Sequence, residues 1–145
     1  MTDDAATTRP PHAATNLDEL GSGPGFRKLR SALGVESMGI NGMVLEAGQV
    51  NRWHWHDEQE ELYIVLSGEL TVEFEGDDPA VVGPGGVVRV DAPVVRRLVN
   101  ASDAECTIIA LGAKDGYVGR DGQLTEAELA KLSESARAGF TPPAG

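Results

Sequence analysis

The sequence has little cysteine, little basic charge and no long apolar run, and each shortage excludes a class of protein. The one cysteine, Cys106, cannot form an internal disulfide, which excludes a small secreted fold held together by disulfides. Twelve Lys and Arg stand against 23 Asp and Glu, and the net charge of −11 repels phosphate backbones and anionic lipid surfaces. We therefore expect no nucleic acid and no membrane among the partners.

The N-terminus does not have the pattern of a secretory signal. Residues 1–5 lack a basic start and are not followed by an apolar stretch. No later segment approaches the length that a membrane-spanning helix needs. We therefore expect a cytoplasmic protein. Its 145 residues, with a hydrophobic content of 41%, suit one domain.

The composition divides the chain into three parts. Residues 1–24 mix Thr, Ala, Pro and Gly without an apolar period, which predicts a flexible N-terminal arm. Residues 25–112 are predicted to form a β-barrel, and residues 113–145 a loop and a C-terminal helix. That helix is predicted to begin at Thr125, because Thr125 and Glu128 have capping-box spacing, and to end at Gly139.

The central part has the rhythm of an all-β domain. Short runs rich in Val, Ile, Leu and Thr alternate with Gly, Pro and Asp at intervals of about ten residues. Seven such runs favour a sandwich or a jelly-roll barrel, with a turn predicted at residues 76–79. The predicted strands are Ser37–Glu46, Gln49–His56, Glu61–Ser67, Glu69–Glu75, Val87–Val90, Val94–Asn100 and Cys106–Leu111.

The densest group of metal-ligating side chains is His54, His56 and Glu61. Residues i and i+2 of a strand point to the same face, so the two imidazoles lie side by side. A turn over residues 57–60 then brings Glu61 in from the next strand. Two histidines and one carboxylate are a known ligand set for transition metals. The spacing therefore predicts a site for a divalent metal such as Fe, Mn, Ni or Zn.

The same stretch resembles the first sequence motif of the cupin family. Gly48, His54, His56, Glu61 and Gly68 stand at the family's offsets without a gap. The resemblance covers about residues 36–111. It implies an all-β double-stranded β-helix, a small single-domain cupin with a small-molecule ligand at the barrel mouth, and a homodimer.

The second motif of the family is altered in this chain. Its fourth metal ligand is a histidine followed four places later by Asn, and here Arg96 precedes Asn100 at that spacing. Arginine stays protonated and has no lone pair to donate, so Arg96 cannot ligate a metal. Its parity with Leu98 and Asn100 predicts that Arg96, rather than Arg97, points into the barrel.

Three arrangements remain open for these side chains. Arg96 either forms a bidentate pair with Glu61 in place of a metal, or turns outward to bind a ligand beside a metal, or binds an anionic ligand together with both histidines and no metal. We also expect Tyr63 and Met43 to line the pocket as ligand-binding residues.

Three functions follow from these arrangements. The first is binding of a small polar or anionic ligand, with or without a divalent metal. The second is a metal-dependent oxygenase or isomerase that uses the two-His, one-carboxylate set. The third is a non-catalytic regulatory or structural cupin with a vestigial site. The sequence leaves enzymatic activity open, because one barrel fold hosts many chemistries.

Overall fold

The computed structural model describes residues 9–132, in which ten strands form two five-stranded sheets with antiparallel pairing throughout. The strands are β1 Gly25–Arg27, β2 Gly39–Leu45, β3 His54–His56, β4 Glu60–Ser67, β5 Leu70–Phe74, β6 Asp77–Val82, β7 Val87–Val90, β8 Arg96–Val99, β9 Cys106–Ala113 and β10 Gly122–Leu124. Two short α-helices are present in these residues, α1 Leu29–Leu33 and α2 Glu126–Lys131, together with one turn of 3-10 helix, Leu17–Glu19. None of these helices is long and apolar enough to cross a membrane.

The strand order places the predicted metal-ligating residues on two facing sheets. The first sheet has the order β1-β2-β9-β4-β7 and the second the order β10-β3-β8-β5-β6. Strand β3 therefore lies in one sheet and β4, the next strand of the chain, in the other. The all-β jelly-roll prediction is confirmed, since this is the double-stranded β-helix architecture.

The core lies between the two sheets and follows from the alternation of side chains along each strand. In β7, Val88 and Val90 are buried while Val87 and Arg89 are exposed. Cys106 is fully buried, as expected for a core thiol. The buried hydrophobic cluster comprises Leu45, Tyr63, Val65, Leu70, Val72, Val88, Val90, Leu98, Cys106 and Ile108.

Several predicted boundaries differ from the structure. The predicted turn at residues 76–79 is wrong beyond Gly76, because β6 begins at Asp77 and contains Pro79. The sheet tolerates this proline because β6 is an edge strand, where the missing N–H is not needed. The predicted strand Gln49–His56 is reduced to three residues, and Val50 makes only an isolated bridge to Val99.

The segment before β1 contacts the barrel within the described residues. Leu17 approaches Gly42 of β2 so closely that a Cβ at Gly42 would lie 2.7 Å from the Leu17 Cδ2. Arg9 pairs with Glu36 at 3.3 Å. Residues 9–24, which the sequence assigns to a flexible arm, therefore have defined contacts with β2 and with the loop before it.

Helix α2 begins as the capping-box spacing predicts. The Thr125 hydroxyl accepts a hydrogen bond from the Glu128 N–H at 3.3 Å. The Glu128 carboxylate does not reach back to Thr125 but accepts from the Trp53 N–H at 2.7 Å, which ties the helix to the start of β3. The helix ends at Lys131, where Leu132 is already extended. Its predicted end at Gly139 lies outside the described residues.

The turn between β4 and β5 supplies a test of the fold. Gly68 has a φ of +79°, and a Cβ there would lie 2.7 Å from the Cys106 Cα. Gly48 has a φ of +78° with no atom within 4 Å of such a Cβ. We expect Gly48→Ala to lower the free energy of unfolding by about 1–2 kcal/mol, the cost of the left-handed backbone. Gly68→Ala should cost about 1–3 kcal/mol more through the backbone clash.

Urea denaturation of both variants measures this difference. Equal losses in Gly68→Ala and Gly48→Ala would show that the strand β9 does not pack against the turn as described. Unchanged m-values would show that both variants expose the same amount of surface on unfolding as the wild-type protein.

Candidate functional site

A cavity of 680 Å³ lies between the two sheets. This volume is within the range of small-molecule sites in proteins. Both sheets contribute to its wall, for example Met43 of β2 and Ala110 of β9 from the first sheet and His54 of β3 and Leu98 of β8 from the second. The wall also contains polar side chains, so the cavity suits a small ligand that has polar groups.

His54, His56 and Glu61 converge in this cavity. One potential ligand atom from each side chain lies within 4.8 Å of the other two. The two imidazoles project from the same face of β3, with ring centroids 5.3 Å apart. Glu61 reaches them from β4 in the facing sheet. The cluster is half-buried to buried, so its charges are only partly screened by water.

The ring of His54 is oriented by the backbone beside it. Its Nδ1 lies 3.1 Å from the carbonyl oxygen of Arg52. A carbonyl only accepts, so Nδ1 carries the hydrogen and the Nε2 lone pair remains available. Burial lowers the pKa of His54 and outweighs the hydrogen bond to the Arg52 carbonyl, which raises it. Its neutral form, which can bind a metal, is therefore favoured.

The ring of His56 is held from both sides. Nδ1 lies 2.9 Å from Oδ1 of Asp121, and Nε2 lies 3.2 Å from Oε1 of Glu61. If Nδ1 donates to Asp121, the neutral ring would direct a lone pair at the Glu61 carboxylate, and a proton or a cation is needed between them. Burial opposes the charged ring, but the contacts with Glu61 and Asp121 outweigh burial and raise the pKa of His56.

Asp121 is the anchor of His56, and it lies just before β10. Its Oδ2 accepts from the N–H groups of Glu58 at 3.0 Å and Gln59 at 2.8 Å. The Gln59 amide also donates to Oδ1. Burial alone would raise the pKa of Asp121, but these hydrogen bonds and the one from His56 lower it. Asp121 is therefore an ionised acceptor that fixes the His56 ring.

The Oε1 atom of Glu61 receives three contacts. It accepts from the Tyr63 hydroxyl at 2.5 Å and from Nη2 of Arg96 at 2.7 Å, and it faces His56 at 3.2 Å. Burial favours the neutral acid, but the contacts with His56, Tyr63 and Arg96 prevail and lower the pKa of Glu61 to about 2. Within residues 9–132 its Oε2 accepts no hydrogen bond from protein.

Arg96 is fully buried behind Glu61. Its Nε donates to the Tyr63 hydroxyl oxygen at 3.2 Å, and its Nη1 donates to backbone carbonyls of the loop before β8, with the shortest contact, 2.8 Å, to Val94. The next residue, Arg97, points outward, where it pairs with Glu73 at 2.6 Å and lies over the Trp53 ring.

Five of the six predicted site residues line the cavity, and one does not. His54, His56, Glu61, Tyr63 and Met43 line the cavity, and Arg96 does not. The Arg96 guanidinium donates to protein groups. Its contact with Glu61 is made through one nitrogen and is not the bidentate pair of the first of the three arrangements. Burial also raises the pKa of Tyr63, which keeps its phenol protonated as a donor to Glu61.

Sequence reasoning missed Asp121 and Gln59. Asp121 lies 65 positions from His56, in the segment predicted to be a loop before the C-terminal helix. Gln59 lies in the predicted turn between the ligands, and its inward position depends on Gly112, where a Cβ would collide with the Gln59 amide. Neither contact has a local period or spacing that could have indicated it.

The residues present fit a divalent metal by the chemistry of their donors. In both histidines Nδ1 faces an oxygen acceptor. In the neutral form of each ring, Nε2 can therefore bind a metal. Glu61 adds an ionised carboxylate. His54, His56 and Glu61 are thus a cluster that could hold a metal ion.

Two facing antiparallel sheets with a polar cluster in the cavity between them define the class, a double-stranded β-helix. Residues 42–112 match the family model of the cupin domain. The chain therefore carries a small cupin domain. A comparison with curated proteins gives no significant sequence match.

Solved structures of the same fold include two that are 25% identical in sequence. A sugar phosphate isomerase of the cupin superfamily from Silicibacter pomeroyi DSS-3 superposes with a TM-score of 0.61 over 70% of this chain and 76% of its own. The DMSP lyase DddQ from Ruegeria pomeroyi DSS-3 superposes with a TM-score of 0.54 over 63% of this chain and 44% of its own. This chain thus spans less than half the length of that lyase.

A third structure supports the fold alone. A cupin protein from Bacteroides fragilis, 20% identical, superposes with a TM-score of 0.62 over 81% of this chain and 99% of its own.

The neighbouring arginines Arg96 and Arg97 allow a matched test of the buried ion pair. Arg96→Met leaves the Glu61 carboxylate buried without its cation, which should lower the free energy of unfolding by about 3–5 kcal/mol. Arg97→Met removes a partly exposed pair, which should cost about 1 kcal/mol or less. Chemical denaturation at pH 7 measures both, and equal losses would contradict the structural role given to Arg96.

Proposed function

We propose that this cupin domain binds one divalent transition metal through His54, His56 and Glu61 and a small polar or anionic ligand in the adjoining cavity. The observation that carries the proposal is the convergence of these three donors within 4.8 Å at the wall of a 680 Å³ cavity. Iron, manganese, nickel and zinc all accept this donor set.

The partners of the three donors support the proposal. The Arg52 carbonyl and the Asp121 carboxylate orient the two imidazoles, as outer partners do in metalloproteins. Arg96 and Tyr63 hold Oε1 of Glu61, so that Oε2 is left for a metal. In this proposal Arg96 positions a metal ligand and does not contact the small molecule itself.

The metal would supply Lewis acidity toward an oxygen of the bound ligand. The chain's own residues would define where that ligand lies. Tyr63 and Met43 form part of the cavity wall, and three protein donors leave coordination positions for water or ligand. Because Tyr63 stays protonated and bonded to Glu61, its role is to hold the carboxylate rather than to transfer a proton.

A second candidate is a metal-dependent enzyme that uses the same site. Two relatives at 25% identity are named as an isomerase and a lyase, which favours an isomerase or a lyase over an oxygenase. The third candidate, a vestigial site, has support in the contacts of Glu61 with Arg96 and His56, which could replace a metal. Metal binding separates the first two candidates from the third.

The proposal also includes assembly and location. A homodimer is supported by exposed apolar side chains on neighbouring strands, Leu66 of β4, Val81 of β6 and Val87 of β7. A cytoplasmic location is supported by the unpaired thiol of Cys106, which suits a reducing compartment.

The decisive experiment is a metal titration with a histidine control. Chelator-treated protein is titrated by calorimetry with Zn²⁺, Mn²⁺, Ni²⁺ and, without oxygen, Fe²⁺. We expect one ion per chain. Loss of an outer partner of a metal ligand weakens binding about 10- to 100-fold, and we expect His54→Ala and His56→Ala, which remove a ligand itself, to weaken it more. His12→Ala is the matched control, because His12 is exposed and remote from the cluster.

The titration also has outcomes that reject the metal site. If the wild-type protein binds none of the four ions, the proposal is wrong and the third candidate, a vestigial site, is favoured. An equal loss of affinity in His12→Ala would mean that the ion binds elsewhere.

Asp121→Asn tests the anchor of His56. The amide nitrogen would replace an oxygen that now accepts two backbone N–H groups, and the His56 ring would lose its ionised partner. We expect metal affinity to fall about 10- to 100-fold. Asp57→Asn is the control, since Asp57 bonds Gln123 and not a histidine. Affinity of Asp121→Asn within twofold of wild type would contradict the orienting role.

A further inference from the structure

We propose that Arg52 and Arg120 form an anion clamp in the cavity, so that the small molecule bound there carries a carboxylate or a phosphate. The inference rests on the proposed function, because it assigns a chemical class to the ligand of that cavity. The sequence predicted ligand binding by Arg96, and we assign it instead to these two arginines.

Both residues are part of the cavity wall and adjoin the metal cluster in the chain. Arg52 precedes β3, and its carbonyl oxygen fixes the His54 ring. Arg120 directly precedes Asp121, which fixes the His56 ring. Each arginine thus belongs to, or adjoins, a residue that orients one histidine of the cluster, and both contribute to the wall of the cavity in which a ligand would lie.

The partners of the other arginines make these two distinctive. Six of the eight arginines in residues 9–132 contact a carboxylate, a carbonyl or an aromatic ring through the guanidinium. In that part of the chain, only the two arginines of the cavity wall have no such contact. A chain with 23 acidic residues has many carboxylates to offer them. Both residues are exposed and contribute to the cavity wall, so each side chain can meet an anion that enters the cavity.

The acidic groups near the clamp are already engaged. Glu61 is bound by Arg96 and Tyr63, and Asp121 by His56 and two backbone N–H groups. Glu128 accepts from the Trp53 N–H and pairs with Lys131 at 3.4 Å, and these contacts lower its pKa. The cavity therefore offers positive charge in a protein whose net charge is −11, and such a local field attracts an anion.

The backbone of Arg120 gives independent support. Its φ is +49°, a conformation that is uncommon for a residue with a side chain. The hydrogen bonds of Asp121 hold the chain in this conformation. Backbone strain of this kind concentrates at ligand sites, where the surrounding contacts fix a side chain in place.

The clamp is tested by calorimetric titration of chelator-treated and metal-loaded protein with inorganic phosphate, succinate and 3-phosphoglycerate, with succinamide as the neutral analogue of succinate. We expect at least one anion to bind and succinamide not to bind. Arg52→Gln and Arg120→Gln should each weaken anion binding about tenfold or more, as expected for loss of a charge-assisted hydrogen bond. Comparison of succinate with phosphate shows which anionic group is preferred.

Arg89→Gln is the matched control for the loss of one positive charge. Arg89 is exposed, pairs with Glu60 and Asp91, and does not line the cavity. It should leave anion affinity within twofold of wild type. Binding of none of the three anions to wild type, equal binding of succinamide, or equal losses in Arg89→Gln and the two cavity variants would each overturn the clamp.

Metal titration of the same variants separates this proposal from the proposed metal site. Arg52→Gln and Arg120→Gln should not weaken metal binding, because the backbone carbonyl of Arg52 that orients His54 is retained and neither guanidinium contacts a donor of the cluster. Anion binding that depends on both arginines in a protein without metal affinity would support the clamp and reject the metal site. Metal binding without anion binding would reject the clamp alone.

Discussion

A single carboxylate oxygen, Oε1 of Glu61, joins the two sheets at the cavity, and the geometry of the site depends on it. Tyr63 reaches it along the same strand, while Arg96 and His56 reach it from the facing sheet. Burying an ionised carboxylate is costly unless charge and hydrogen bonds compensate. Here both are present, and the low pKa of Glu61 follows from them. The separation of the sheets at this point is therefore fixed by electrostatics as well as by packing.

The replacement of a histidine by Arg96 changes what the domain can do. A third imidazole would supply the fourth protein ligand of a metal, whereas a guanidinium removes a donor and adds a positive charge. The structure accommodates that charge behind Glu61, where three backbone carbonyls also accept from Arg96. The carboxylate thus stands between the guanidinium and the two imidazoles. The substitution leaves the cavity with one metal donor fewer than a histidine at this position would provide.

The local parts of the site could be predicted from the sequence, and the distant parts could not. His54, His56 and Glu61 lie within eight positions of one another, so strand alternation and one turn suffice to bring them together. The strand pattern likewise predicted the barrel. Asp121 depends on the pairing of β10 with β3, a long-range contact that no local period encodes. Pro79 was read as part of a turn because the edge position of β6 is a property of the whole sheet.

The origin of the site residues has a consequence for how such a domain diversifies. The matched cupin region ends at residue 112, yet Asp121 and Arg120 lie beyond it and still contribute to the cavity. The barrel supplies the histidines and the carboxylate, and a short following segment supplies the anchor of His56 and part of the cavity wall. Exchange of that segment between relatives would preserve the barrel while altering which molecules it accepts. Chemical diversity in such domains can therefore arise by variation of the tail, at little risk to folding.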